Sequence, residues 1–514
     1  MCQHDEFSNT VQMIKGGAMN TVIINTNRTL HTQTLSFRNP MNIHSKIYHW
    51  NEKSDYNFRF LSPLRGTRND QRISIRLIAL LLFTFSTLFA ITPHAPAPVF
   101  TLDGRLNCPV ISKNGGTAYL QLTLTAPGVV KDVKRKPINL SIVIDRSGSM
   151  SDQRKMEYAK KAYSTLIDQL HPDDILSLVI YDDVVEVIRH AKKIGDDKYS
   201  IKRMLDEVYP RGSTNLGGGL QQGLNEAEKN AGKKYINRVV LLSDGLANVG
   251  VTDPAELNRI ARTYRHRSIS VTSMGVGLDY NENLMMGLSE SGGGNYYFIE
   301  HPNSLASIIR QEFEMVSSIL AQNTAIYLTL GDNVRSSDVL GCEYKHENGQ
   351  FIIPVGDLYA NDIREFTVVL KIPAGTGART IAIGELRYES ESIIASFPSF
   401  TAGVKYTKDV AEVEKHRDIS TQAKADIAVS AKKVEQAMRA MDDGDQAATE
   451  IQLTEARSVI SISPAYSSMG ASGESVRSQL SKIESYQKTV KEETDMRKAK
   501  KSIQYDNYKT RKNK

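Results

Sequence analysis

The chain has 514 residues, 40% of them hydrophobic and 24% charged, a globular balance with room for two or three domains. Its net charge of +6 is unevenly spread: residues 1–98 hold ten Lys/Arg against five Asp/Glu, and Arg497–Lys514 hold eight against one, so residues 99–496 carry a net −6. No broad basic face is expected, which argues against nucleic-acid binding by the folded body.

In chain order, residues 1–72 are rich in Asn, Thr and His and sustain neither a two-residue nor a 3.6-residue period. They read as a disordered leader or an over-extended start. Leu77–Ile91 is a 15-residue run without a charge, preceded by Arg72 and Arg76 and followed by Thr-Pro-His-Ala-Pro-Ala-Pro. As a helix it would span about 22 Å, short of the roughly 30 Å hydrocarbon core. Residues 73–97 therefore read as a secretory signal, or as a retained signal anchor tethering the chain to a membrane. Either reading exports the chain, to a periplasmic, secreted or inner-membrane-anchored location. Of the three cysteines, only Cys108 and Cys342 would survive signal removal. A disulfide between them and two buried free thiols both stay open.

Residues 98–135 alternate apolar and polar side chains, as in Ala118-Tyr-Leu-Gln-Leu-Thr-Leu-Thr125, and read as antiparallel strands. Over 136–320 the pattern changes. Apolar strands (Leu140–Ile144, Leu176–Tyr181, Val239–Leu242, Ile269–Met274) alternate with helical stretches (Lys155–Gln169, Leu216–Asn230, Pro254–His266). Such alternation predicts a doubly wound α/β domain with a mostly parallel sheet. Asp182-Asp183 reads as a turn before an antiparallel edge strand, Val184–Arg189. Strands and turns return over 321–408. The first β segment is too short to bury a core alone, so the two are expected to form one β-sandwich into which the α/β domain is inserted. Residues 409–505 read as a helical module with breaks at Asp442–Asp445 and Ser463–Gly473, and 506–514 as a solvated basic tail.

The chemistry concentrates at Leu140-Ser-Ile-Val-Ile-Asp145-Arg-Ser147-Gly-Ser149-Met150, where an apolar strand ends in one carboxylate and two hydroxyls. Arg211-Gly-Ser-Thr214 puts a threonine in a glycine-flanked loop before a helix, and Asn237-Arg-Val-Val-Leu-Leu-Ser243-Asp244-Gly245 ends a second strand in an aspartate. Ligands of open α/β sheets bind at the carboxyl ends of strands. Asp145, Ser147, Ser149, Thr214 and Asp244 would offer hard oxygens there, which suit Mg2+.

With these three segments the chain resembles the von Willebrand factor type A (VWA) family over roughly Lys136 to Leu320. The D-x-S-x-S, Thr, Asp composition matches that family's metal-ion-dependent adhesion site at all five positions. The resemblance implies a Mg2+, Mn2+ or Ca2+ ion held by these residues and a protein partner that presents an Asp or Glu carboxylate to it. Metal-dependent adhesion or scaffolding in the cell envelope is the leading expectation, and non-enzymatic. A metal-dependent hydrolase of an ester or phosphoester is the second. It would need a general base, and the ligand loops offer no histidine and no lysine. Ser147 lacks the G-x-S-x-G setting of a nucleophile elbow, and Gly217-Gly-Gly219 lacks the Lys-Ser/Thr of a phosphate loop. A single apolar run cannot line a pore, so ion conduction is not expected.

Overall fold

The structure is a computed structural model that describes residues 10–16, 19–26, 29–35, 100–128, 135–232, 234–390 and 393–512. It divides into two units, Met1–His94 and Ala95–Lys514. The first contains an antiparallel meander of β1 (Thr10–Gly16), β2 (Met19–Thr26) and β3 (Thr29–Leu35). This departs from the disorder expected of the leader. Each stretch supplies Thr, Val or Ile residues that favour a pleated backbone, over too few positions for a period to register. Residues 73–97, with the Leu77–Ile91 run, lie outside the described residues. Among the described residues no helix is long and apolar enough to cross a membrane.

In the second unit, β4 (Thr101–Leu106), β5 (Val110–Ser112) and β6 (Gly116–Thr125) precede the α/β domain. That domain is built on β7 (Ile138–Asp145), β8 (Ile175–Tyr181), β9 (Val185–Lys193), β10 (Ile236–Ser243), β11 (Ile269–Val276) and β12 (Gly293–Ile299). Their order in the sheet is β12-β11-β10-β7-β8-β9, parallel throughout except for the antiparallel edge strand β9. No strand is expected from the sequence at β12, because Gly292-Gly-Gly-Asn295 resembles a turn more than a strand entry.

All of β7 is buried, because helices cover both faces of the sheet. Ile138, Leu140, Ile142 and Ile144 pack on one side with α1 (Lys155–Gln169), α2 (Lys198–Asp206) and α6 (Leu305–Ser317). On the other side Val143, Val239 and Leu241 pack with α3 (Leu216–Glu228), α4 (Pro254–Arg265) and α5 (Glu282–Gly292). From β7 the chain runs outward through β8 on one side and returns to β10 on the other. The topological switch point thus falls between β7 and β10, the strands that end in the two site aspartates.

The chain then supplies β13 (Ile319–Leu330), β14 (Arg335–Leu340), β15 (Lys345–Glu347), β16 (Gln350–Tyr359), β17 (Ile363–Ile372), β18 (Ala378–Ser390) and β19 (Ile393–Thr407). Two sheets, β15-β16-β13-β18-β19-β5 and β14-β17-β6-β4, enclose one core that includes Leu120, Leu122, Leu124, Ile326, Leu328, Val368 and Leu370. β6 and β17 pair antiparallel from Thr125 opposite Ile363 to Gly116 opposite Ile372. Segments on either side of the α/β domain therefore share one sandwich, and that domain is an insertion in it. Cys108 and Cys342 are free thiols.

The helical module comprises α7 (Val410–Lys415), α8 (Ile419–Asp442), α9 (Gln446–Ser461), α10 (Ala471–Glu492) and α11 (Met496–Lys512). The last helix corrects the expected solvated tail. Lys501 is buried and pairs with Glu282, and its Nζ donates to the Tyr280 carbonyl at 2.6 Å; Arg511 lies 3.2 Å from Glu290. Tyr508 packs edge-on against Tyr296 and its hydroxyl accepts the Tyr296 N–H. Carboxylates of the α/β domain, distant in sequence, thus bind the basic segment down.

Candidate metal centre

Asp145 is the last residue of β7, and its carboxylate turns back under the loop that follows. Oδ1 accepts the Ser147 N–H at 2.8 Å, while Oδ2 accepts the Ser243 hydroxyl at 2.7 Å and the Tyr181 hydroxyl at 3.3 Å. Ser147 and Ser149 follow at alternating positions, with their Oγ atoms 3.1 Å apart. Ser149 Oγ donates to Asp244 Oδ1 at 2.8 Å. Four of the five sequence-derived candidates therefore form one hydrogen-bonded chain across the β7–β10 switch point. Asp145, Ser147 and Asp244 are buried beneath the surface.

Thr214 joins from a third loop. Its N–H donates to Asn248 Oδ1 at 2.9 Å, and its carbonyl accepts the Asn248 and Val249 N–H groups. The loop carrying Thr214 is thereby stitched to the loop carrying Asp244. Gly212 makes the approach possible: at φ +70° it holds a left-handed conformation, and a Cβ there would lie 2.1 Å from Asp183 Oδ1. At Gly245 a Cβ would lie 3.3 Å from Thr214 Oγ1 and 3.7 Å from Ser149 Oγ. The absent side chain leaves space among those oxygens. Gly148, by contrast, meets only ordinary contacts.

The electrostatics fit a hard cation. Burial, with the nearby Asp244 carboxylate adding to it, pushes the Asp145 carboxyl up to about 6 despite the hydrogen bonds it accepts from Ser243 and Ser147. Two buried carboxylates in one network, with three neutral hydroxyls, make a donor set of oxygens suited to a divalent ion of the Mg2+ kind.

Asp182 and Asp183 were expected in a turn, and Asp182 Oδ1 accepts the Val184 N–H at 2.7 Å as such a turn requires. Asp182 also binds two arginines on the rim, Arg146 at 2.9 Å and Arg211 at 2.8 Å. Burial opposes its charge, but the Val184 N–H and Arg211 outweigh that and hold its carboxyl below the usual range.

Three contributors escaped the sequence. Ser243 and Tyr181 orient Asp145, and Tyr181 also donates to the Leu242 carbonyl at 3.2 Å. The third corrects the expectation that no lysine stands near the ligand loops. Lys155, the first residue of α1, places Nζ 2.7 Å from Asp244 Oδ2 with only 3% of its side chain exposed. Its position in the sequence, ten residues after Asp145 at a helix start, carries no signal that it turns inward.

A family model described as the von Willebrand factor type A domain matches residues 139–311. Among curated relatives, the uncharacterized protein YfbK of Escherichia coli is 28% identical over 199 residues, 38% of this chain and 34% of that protein. The uncharacterized protein sll0103 of Synechocystis is 29% identical over 217 residues, 42% of this chain and 50% of that one. The mouse inter-alpha-trypsin inhibitor heavy chain H2 is 29% identical over 196 residues, 36% of this chain and 20% of its own. These matches span half or less of each relative. Two solved structures share the fold more widely. A von Willebrand factor type A protein from Catenulispora acidiphila superposes with a TM-score of 0.64 at 16% identity, covering 82% of this chain and 98% of its own. The ArnB paralog VWA2 from Sulfolobus acidocaldarius does so with 0.52 at 16% identity, covering 79% and 98%.

Proposed function

We propose that this chain, which carries a von Willebrand factor type A domain, is a metal-ion-dependent protein-binding protein of the bacterial cell envelope. Asp145, Ser147, Ser149, Thr214 and Asp244 would hold one Mg2+, Mn2+ or Ca2+ ion. When bound, the ion would supply an electrophilic position that an Asp or Glu carboxylate of a partner protein can take. The observation that carries this reading is the convergence of five oxygen-bearing side chains from three loops at one sheet switch point.

The way the site's ionisable groups are engaged supports binding over catalysis. Lys155 is committed to Asp244, and Tyr181 donates to Asp145 and a backbone carbonyl. Burial and the Asp145 charge hold the Tyr181 hydroxyl well above its usual range, so it stays a donor. None of these is placed as a free base, which a hydrolytic step requires. Export rests on the Leu77–Ile91 run and its basic flank.

The test is affinity capture from envelope extracts with the full chain in Mg2+ and in EDTA, with Asp145→Ala as control. Partner proteins should be retained by the wild type in Mg2+ and lost in EDTA and in the variant. Retention indifferent to EDTA would overturn the reading. Metal-dependent turnover of a generic phosphoester, lost in Ser147→Ala while capture persists, would favour a hydrolase.

A further inference from the structure

Among the five proposed ligands there are only carboxylates and hydroxyls, and the rim arginines Arg146 and Arg211 are taken up by Asp182 and Glu186, so Lys155 is the cation set directly on a ligand. Its ammonium reaches Asp244 Oδ2 at 2.7 Å and the Ser149 carbonyl at 3.5 Å. The chain turns sharply to deliver it. Gln153 and Arg154, immediately before it, sit at φ 49° and 60°, left-handed conformations that cost energy in residues with a Cβ. Across the sheet edge Gly277, at φ +78°, gives the side chain room: a Cβ there would stand 3.3 Å from Lys155 Cε and 3.5 Å from Nζ. Backbone strain on one side and a glycine on the other mark a lysine held in a set position.

The charges then decide what the site attracts. Asp145 and Asp244 against a divalent ion would sum to zero, leaving an incoming carboxylate the coordination contact but no net charge to draw it in. With the ammonium included, the site is net −1 without an ion and net +1 with one. We propose, resting on the metal-site reading above, that Lys155 is a positioning and charge-setting residue. Fixed on Asp244, it makes the site repel a partner carboxylate when empty of cation and attract one when loaded. It also occupies Oδ2 of Asp244, so that Oδ1 alone faces Ser149 and the hydroxyl cluster. Dependence of partner binding on the metal is thereby written into the sign of the site charge, beyond the coordination position itself. A buried pair of purely structural purpose would leave no such signature.

The experiment uses the full chain at pH 8, as wild type, Lys155→Met and Lys155→Arg. Mn2+ is titrated and followed by the resonance of the free ion; acetate is then titrated into the Mn2+-loaded protein and followed by water proton relaxation. A unit charge removed at contact distance is worth about tenfold or more in affinity. Lys155→Met should therefore bind Mn2+ at least about tenfold more tightly and acetate at least about tenfold more weakly, while Lys155→Arg stays within about threefold of wild type on both. The opposite movement of the two affinities is the signature. Equal affinities, or loss of both together, would reduce Lys155 to a structural ion pair. If Lys155→Met fails to fold without metal, it is refolded in saturating Mn2+, where its site is net neutral. A variant still unfolded there would also overturn the proposal. Absence of saturable Mn2+ binding in the wild type would instead sink the metal-site reading itself.

Discussion

The two ends of β10 treat buried charge in opposite ways. Near its start, Arg238 is fully buried and donates to Asp357 of the sandwich strand β16 at 2.9 Å and to Thr272 at 3.3 Å; Glu312 lies 4.0 Å away. Glu312 in turn accepts from Thr272, from Asn295 at 2.7 Å and from Tyr297 at 2.9 Å. Ser270 donates to Asp357 at 3.0 Å, and Arg265 adds a second positive charge near it. Two arginines thus balance two carboxylates, and burial, which opposes the Arg238 charge, is outweighed by Tyr359, Asp357 and Glu312. Past the other end of the strand, Asp145 and Asp244 have one lysine between them, Lys155, which binds Asp244 alone. A balanced network is a joint; it fastens the inserted domain to its sandwich. An unbalanced one leaves a net negative charge, which is what the proposed cation would neutralise.

The largest effect should come from breaking the joint. Arg238→Met would leave Asp357 and Glu312 buried without their nearest counter-ion, and should cost about 3–5 kcal/mol of stability in denaturant unfolding. A loss below about 1 kcal/mol would show that the two ends are not so different. The site should instead gain from an added ion. Mg2+ at one hundred times its dissociation constant should stabilise the wild type by about 2.7 kcal/mol, and should leave Asp244→Ala unmoved.

A third contrast lies in pH. The folded Asp145 carboxyl, at about 6, holds a proton that an unfolded aspartate releases near about 3.9. Between those values the folded state binds more protons than the unfolded one. Its contribution to stability therefore falls as pH rises through that window, and stays low above it. In EDTA, the difference between wild type and Asp145→Asn should shift against the wild type from pH 4 to pH 6.5, as read by thermal melts. A difference that is flat or of opposite sign would mean that Asp145 is already compensated. The smallest expected effect is that of Tyr181→Phe, which removes one hydroxyl shared between Asp145 and the Leu242 carbonyl. It should cost about 1 kcal/mol.

What the sequence made legible follows from how local each signal is. β7 ends in Asp145 and β10 is followed directly by Asp244, so strand, direction and the placing of both carboxylates at one sheet edge could be read from a dozen residues. The shared sandwich was legible from the shortness of its first segment, and the β6–β17 ladder joins the two parts. Signals that depend on distant partners were hidden. Lys155 looks like one more exposed base beside Arg154 until the left-handed turn at Gln153–Arg154 aims it at Asp244. The basic residues of α11 look solvated until Glu282, Glu290 and Asp442 are brought beside them. Arg238, near the start of β10, carries no local signal of burial, because its carboxylate partner Asp357 belongs to the sandwich on the far side of the insertion.

The central question is whether the unbalanced end of β10 takes up a divalent cation. Calorimetric titration of Mg2+ into the EDTA-stripped full chain at pH 8 tests this directly. Saturable binding of one ion per chain is expected, abolished in Asp244→Ala and in Asp145→Ala while both variants remain folded. No heat of binding in the wild type, or binding that survives both substitutions, would rule out a metal site at Asp145 and Asp244.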